Sequence, residues 1–206
     1  MPRGGGTDGV DTVHRDDLRL TVELRSVTAG ARRRAVRDGD DRVDTAHLLH
    51  SLLESDPRVR EAVDGGAGGG TDGGAGGGQV ARVLGYLVQR SIGYGMRWRG
   101  AVEDSGALAL APSALASLTS LSSLGAPGWS PAAATAIGAA VARAQERGTA
   151  QADGGDLLEA LLADPACRAV EVLRAAGVDP ARLLVRPPAL RGTDDSRYWG
   201  DGPVAS

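Results

Sequence analysis

Asp44, His47 and His50 come nearest to a metal-ligand set in this chain. A carboxylate and two imidazoles can hold a divalent transition metal. On a helix, however, positions i, i+3 and i+6 converge poorly on one point, so no metal is expected there. Cys167 is the single cysteine. A catalytic thiol needs a base beside it, and all three histidines lie far away in sequence, so Cys167 reads as a small buried residue on a helix. Histidine is scarce and no Gly-x-Ser-x-Gly occurs, which leaves a hydrolytic triad without support. All 23 basic residues are arginine, so neither a Schiff base nor a P-loop lysine is available. Gly68 to Gly73 matches Gly-x-Gly-x-x-Gly, but so glycine-rich a run produces that match by chance, and no strand precedes it. The chemistry points to a non-enzyme that needs no cofactor.

Binding chemistry is better represented. Arg32, Arg33, Arg34 and Arg37 form the one dense basic patch. Arg34–Asp38 and Arg37–Asp41 fall at i, i+4, the spacing of a solvated, ion-paired helix face. Such a face could also meet an acidic protein surface or, as a second reading, DNA. The net charge of −3 argues against general nucleic-acid binding, which needs a basic surplus to displace counterions. Aromatics are only 3%, with no Phe, so each Trp is a candidate anchor. Trp98 lies between Arg97 and Arg99; Trp129 opens a later helical segment; Trp199 is near the C-terminus.

The elements that carry these residues read as helices. Leu20, Leu24, Val27, Ala31 and Ala35 trace one helical stripe. Thr21 is placed to cap that helix, and Gly39 to end it in the left-handed conformation. Asp44 or Thr45 caps a second helix, whose Leu48, Leu49, Leu52 and Leu53 form an apolar face ended by Asp56-Pro57. A short helix around Val59 to Val63 follows, then a glycine run over 65–78 that cannot fold alone, then a helix from Gln79 to Arg90. Tyr94 to Arg99 alternates as a hairpin or loop would, and Pro112 to Ser123 reads as a weak helix.

From Trp129 the first pattern returns, displaced by 109 positions. Leu20-Thr21 falls on Trp129-Ser130, the stripe on Ala133, Ala136, Ala140 and Ala144, Gly39 on Gly148, and the leucine pairs on Leu157-Leu158 and Leu161-Leu162. Internal repetition of caps, stop and leucine face together is a strong organising signal. A helix from Cys167 to Ala176, closed by Gly177, and a short one from Pro180 to Val185 complete the second copy.

Asp44-Thr45-Ala46-His47-Leu48-Leu49, together with Leu173-Arg174-Ala175-Ala176-Gly177-Val178-Asp179, resembles the tandem repeat of the Clp N-terminal (Clp R) domain family. The likeness covers roughly 18–90 and 129–186. It implies an all-α fold of two pseudo-symmetric four-helix repeats, about eight helices, with a Gly-rich loop at 65–78 and an insert at 91–128, flanked by disordered tails at 1–17 and 187–206. In that family the domain binds substrates, adaptors and some cyclic peptides, and in some members a glutamate of each repeat's motif receives phosphorylated arginine. Those places are Ala46 and Gly155 here, which removes the carboxylate that a guanidinium needs. His47 falls on a structural position of the family and Trp129 on its helix-start aromatic. No ATPase loop is present.

The expectation is therefore a free-standing peptide- or protein-binding module, an adaptor or decoy in Clp-dependent proteolysis. Its partners would be Clp ATPase or protease components, their substrates, or cyclic peptides. The groove near Thr21, Thr45, His47, Trp129 and Ser130 is the expected ligand surface; Arg32, Arg33, Arg37 and Trp98 are partner-contact candidates. The alternative is a DNA-associated regulator using the Arg32–Arg37 helix. The N-terminus lacks an apolar core of a signal peptide, and no stretch reaches transmembrane length, so a cytoplasmic location is expected.

Overall fold

The computed structural model describes residues 19–65, 78–89, 102–104 and 128–184. The expected tails, the glycine run at 66–77, the hairpin or loop at 94–99 with Trp98, the weak helix at 112–123, and Trp199 lie outside the described residues. The described residues hold eight helices and one two-stranded pairing. In chain order these are α1 (Val22–Asp38), β1 (Arg42–Val43), α2 (Thr45–Ser55), α3 (Pro57–Asp64), α4 (Gly78–Gln89), β2 (Gly128–Trp129), α5 (Pro131–Glu146), α6 (Gly154–Leu162), α7 (Arg168–Ala175) and α8 (Pro180–Leu184). The all-helical expectation holds.

Helix starts follow from side-chain oxygens. The Thr21 hydroxyl accepts from the Leu24 N–H, and the Ser130 hydroxyl from the Ala133 N–H. Asp44, rather than Thr45, caps α2, and Asp153 caps α6; each accepts from the third helical N–H. Satisfying such amides is what lets short helices begin here. Helix ends follow from glycine. Gly39 and Gly148 sit at φ of +72° and +75°, where a Cβ would be strained. The chain beyond each folds back, with Asp40 N–H on the Ala35 carbonyl and Thr149 N–H on that of Ala144, both at 2.9 Å.

The core has a simple physical cause. Leu48, Leu49, Leu52 and Leu53 of α2 are all fully buried, as are Leu157, Leu158 and Leu161 of α6. Each such Leu contributes roughly 1.5–3 kcal/mol of apolar burial, and neither leucine helix could bury its face alone. Helix α1 packs on α2 and α5 on α6, while α2 also meets α5, α6 and α7. The alanines of α5 let it approach closely: Ala132 to Ala134, Ala136, Ala140 and Ala144 are buried.

Extended backbone ties the halves together reciprocally. Val43 pairs with Trp129 in parallel register, and Leu20 pairs with Ala152. The Ser130 N–H donates to the Val43 carbonyl at 2.8 Å, and the Thr21 N–H to the Ala152 carbonyl at 3.0 Å. Leu20 and Trp129, like Val43 and Ala152, stand 109 positions apart.

Candidate binding site at the junction of the two halves

Val43, Asp44 and Thr45 enter α2 beside Trp129 and Ser130, which enter α5. The N-terminus of α7 closes the third side. Cys167 is the N-cap of α7 but makes no capping bond. The Thr45 hydroxyl accepts from the Ala169 N–H at 3.0 Å instead. Glu103, 6% exposed, fills the space between the three helix starts. One of its oxygens, Oε1, accepts from the Thr45 hydroxyl at 2.5 Å and the Arg168 N–H at 2.7 Å. The other, Oε2, accepts from the Thr45 N–H at 2.8 Å and the Ser130 hydroxyl at 3.1 Å. Four donors thus hold one carboxylate. Burial, and then the neighbouring charge of Asp44, push its carboxyl above the usual range, against the pull of Thr45 and Arg168.

A charged chain leads outward from this point. Arg168 Nη1 meets Asp44 Oδ2 at 2.8 Å, an ion pair between α7 and the cap of α2. Asp44 Oδ1 lies 2.7 Å from His47 Nδ1, and His47 Nε2 lies 3.2 Å from Asp40 and 3.8 Å from Asp38. Beside Thr45 a narrow crevice is lined by Thr135, Ala136, Leu161, Asp164 and Cys167. Burial pushes the Cys167 thiol up to about 11, so it is a packed thiol and not a nucleophile. Among the described residues no cluster of His, Cys, Asp and Glu has the arrangement of a metal site.

The structure brings Thr45, Ser130, His47 and Trp129 to this junction and buries all four. Thr21 lies apart, beside Ala152 at the reciprocal pairing. There, Gly154 replaces Thr45 at the helix start, and a Cβ at Gly154 would run into the Asp56 carboxylate. The guanidinium of Arg32 lies over the Trp129 ring, 4.7 Å from its centroid, a cation–π contact. Arg33 and Arg37 are exposed on α1. Arg37 turns to Asp38 at 3.4 Å. Arg34 crosses instead to α2, meeting Glu54, His50 Nδ1 and Ser51, because its place on α1 faces that helix. Burial, followed by the charge of Arg34, lowers His50 to about 4.

Glu103 and Arg168 escape sequence reasoning, since Glu103 is 58 residues from Thr45 and shares no periodicity with it. One signal was available: a helix that starts on Cys167, which cannot cap, needs a cap from elsewhere.

No protein-family model and no curated protein sequence matches the chain. A solved structure does: the N-terminal domain of the caseinolytic protease associated chaperone ClpD from Arabidopsis thaliana. It superposes with a TM-score of 0.50 at 20% identity, covering 81% of this chain and 90% of that one. The fold is that of a Clp N-terminal domain. At this identity the likeness speaks for the architecture, which agrees with the eight helices described above. No described helix is long and apolar enough to cross a membrane.

Proposed function

We propose that the chain is a non-enzymatic protein- or peptide-binding module of Clp-dependent proteolysis, working as an adaptor or as a decoy. The observation that carries this is the Clp N-terminal-domain architecture. Fold alone does not determine function. The junction lends the reading support: Asp44 caps α2 and pairs with Arg168, Glu103 is taken up by the three helix starts, and burial pushes the Cys167 thiol up and keeps it protonated.

In this reading the two halves, 18–90 and 129–186, are tandem repeats and 91–128 is an insert between them. Thr45, His47, Ser130 and Trp129 shape the floor of the junction. Thr21 and the arginines Arg32, Arg33 and Arg37 stand nearer the surface, where a partner's acidic groups would meet them. Ala46 and Gly155 stand where the family's arginine-receiving glutamates would be, which argues against phosphorylated arginine being received by that route.

Capture on the tagged full chain from lysate of its source, at moderate salt and read by mass spectrometry, tests the proposal. Recovery of Clp ATPase, Clp protease or their substrates, lost when Arg33 and Arg37 are both changed to Glu, is the expected result. Recovery of nucleic acid, or of nothing reproducible, overturns it.

A further inference from the structure

The His47 ring is 2% exposed and its Nδ1 has two partners of opposite kind within reach. Asp44 Oδ1 stands 2.7 Å away and the Asp44 backbone N–H 3.2 Å away. Only a protonated nitrogen can donate to the first, and only a bare one can accept from the second. The same residue, Asp44, offers both. On the far side of the ring Nε2 lies 3.2 Å from Asp40 and 3.8 Å from Asp38, so the charge of a second ring proton falls in the field of two carboxylates.

The corresponding position 109 residues later has no such choice. Asp156 accepts from the Asp153 N–H at 3.0 Å and from Arg147 at 2.6 Å. Both donors stay protonated at any physiological pH. The first half therefore carries a titratable group where the second carries a fixed ion pair.

We propose that His47 is a proton-operated switch in the cap of α2, and that it regulates the junction site through Asp44. With the ring doubly protonated, Nδ1–H donates to Asp44 Oδ1, and the carboxylate is shared between His47 and Arg168. With the ring neutral, Nδ1 accepts from the Asp44 N–H, and the carboxylate is left to Arg168 and to the His47 N–H at 2.9 Å. The Asp44–Arg168 pair joins the halves next to Thr45 and Glu103, so the proton sets how firmly the junction is closed. Among the described residues, the charged groups facing the ring are Asp38 at the end of α1, Asp40 in the turn and Asp44 in the cap. Arg168 of α7 and Glu103 act on it through Asp44, and Asp40, a third exposed, opens the path to solvent. The regulatory consequence rests on the proposed binding role of the junction; the switch itself does not.

Nuclear magnetic resonance of the full chain tests it across about pH 5–8, the range in which histidine changes charge. The expected result is a titration of the His47 ring with coincident shifts of the Asp44, Thr45 and Arg168 amides, while those of Asp153 and Gly154 stay still. The His50 ring, held down to about 4, is silent in this range and serves as the internal control. In His47→Gln, which accepts as the neutral ring does, the three amide shifts should vanish. Should that variant not fold, Asp38→Arg with His47→Asp copies the fixed pair of the second half and should abolish the shifts equally. A ring that holds one state throughout, a ring that titrates while the three amides stay still, or shifts that survive these substitutions, overturns the switch. None of these outcomes touches the capture experiment, which is read at one pH.

Discussion

Arg147 pairs with Asp156 where, 109 residues earlier, Asp38 faces His47, so acid and base have changed places across the fold. The exchange keeps an attraction between a helix end and the start of the next leucine helix. It also makes one attraction permanent and the other dependent on a proton.

Asp156 is 1% exposed, and a buried charge deprived of its partner is costly. Arg147→Ala should lower stability by about 2 kcal/mol, less than for a sealed pair because the arginine is partly in water. Urea unfolding at neutral pH checks this. An unchanged midpoint would mean that the Asp153 N–H alone satisfies Asp156.

Glu103 holds its proton more tightly folded than unfolded, since burial and Asp44 raise its carboxyl above 4.5. Its contribution to stability is therefore complete below that pH and declines as pH rises through the folded value. Glu103→Gln should remove this decline, at the expense of placing an amide N–H against the donors of Thr45 and Arg168. Unfolding curves measured upward from pH 4.5 should thus be flatter for the variant; parallel curves would contradict the assignment.

His50 behaves in the opposite sense. Its folded value is lowered from 6.5 to about 4 by burial and by Arg34, so the unfolded chain takes up its proton first. The stability it contributes is complete above 6.5 and is lost as pH falls toward 4. His50→Gln should lose less stability than the parent over that interval, read by thermal unfolding at each pH.

Cys167 donates to the Leu161 carbonyl at 3.3 Å and is 1% exposed. A disulfide reagent at neutral pH should leave it unmodified in the folded protein and label it stoichiometrically in denaturant. Prompt labelling without denaturant would show that α7 opens locally.

Much of the architecture was legible because its signals are local. Thr21, Gly39, Asp44 and Gly148 announce helix boundaries through hydrogen bonding and backbone freedom, and the leucine pairs announce buried faces. The site was less legible. Thr45, Ser130, His47 and Trp129 were singled out and do meet, but what joins the first two is the Glu103 carboxylate, reached across a long chain separation. Arg34 was expected to serve its own helix; a crossing helix offered Glu54 and Ser51 instead. Spacing within one helix says nothing about what the next helix brings opposite.

The crossed pairing of Val43 with Trp129 and of Leu20 with Ala152 makes each half finish the other's entry turns. A lone half would be missing both the strand that lines up its first helix and the leucine wall behind it. Losing either half to proteolysis or truncation should thus cost the chain its whole fold rather than one lobe, and a chain nicked between residues 104 and 128 should melt in a single step with its two pieces leaving together.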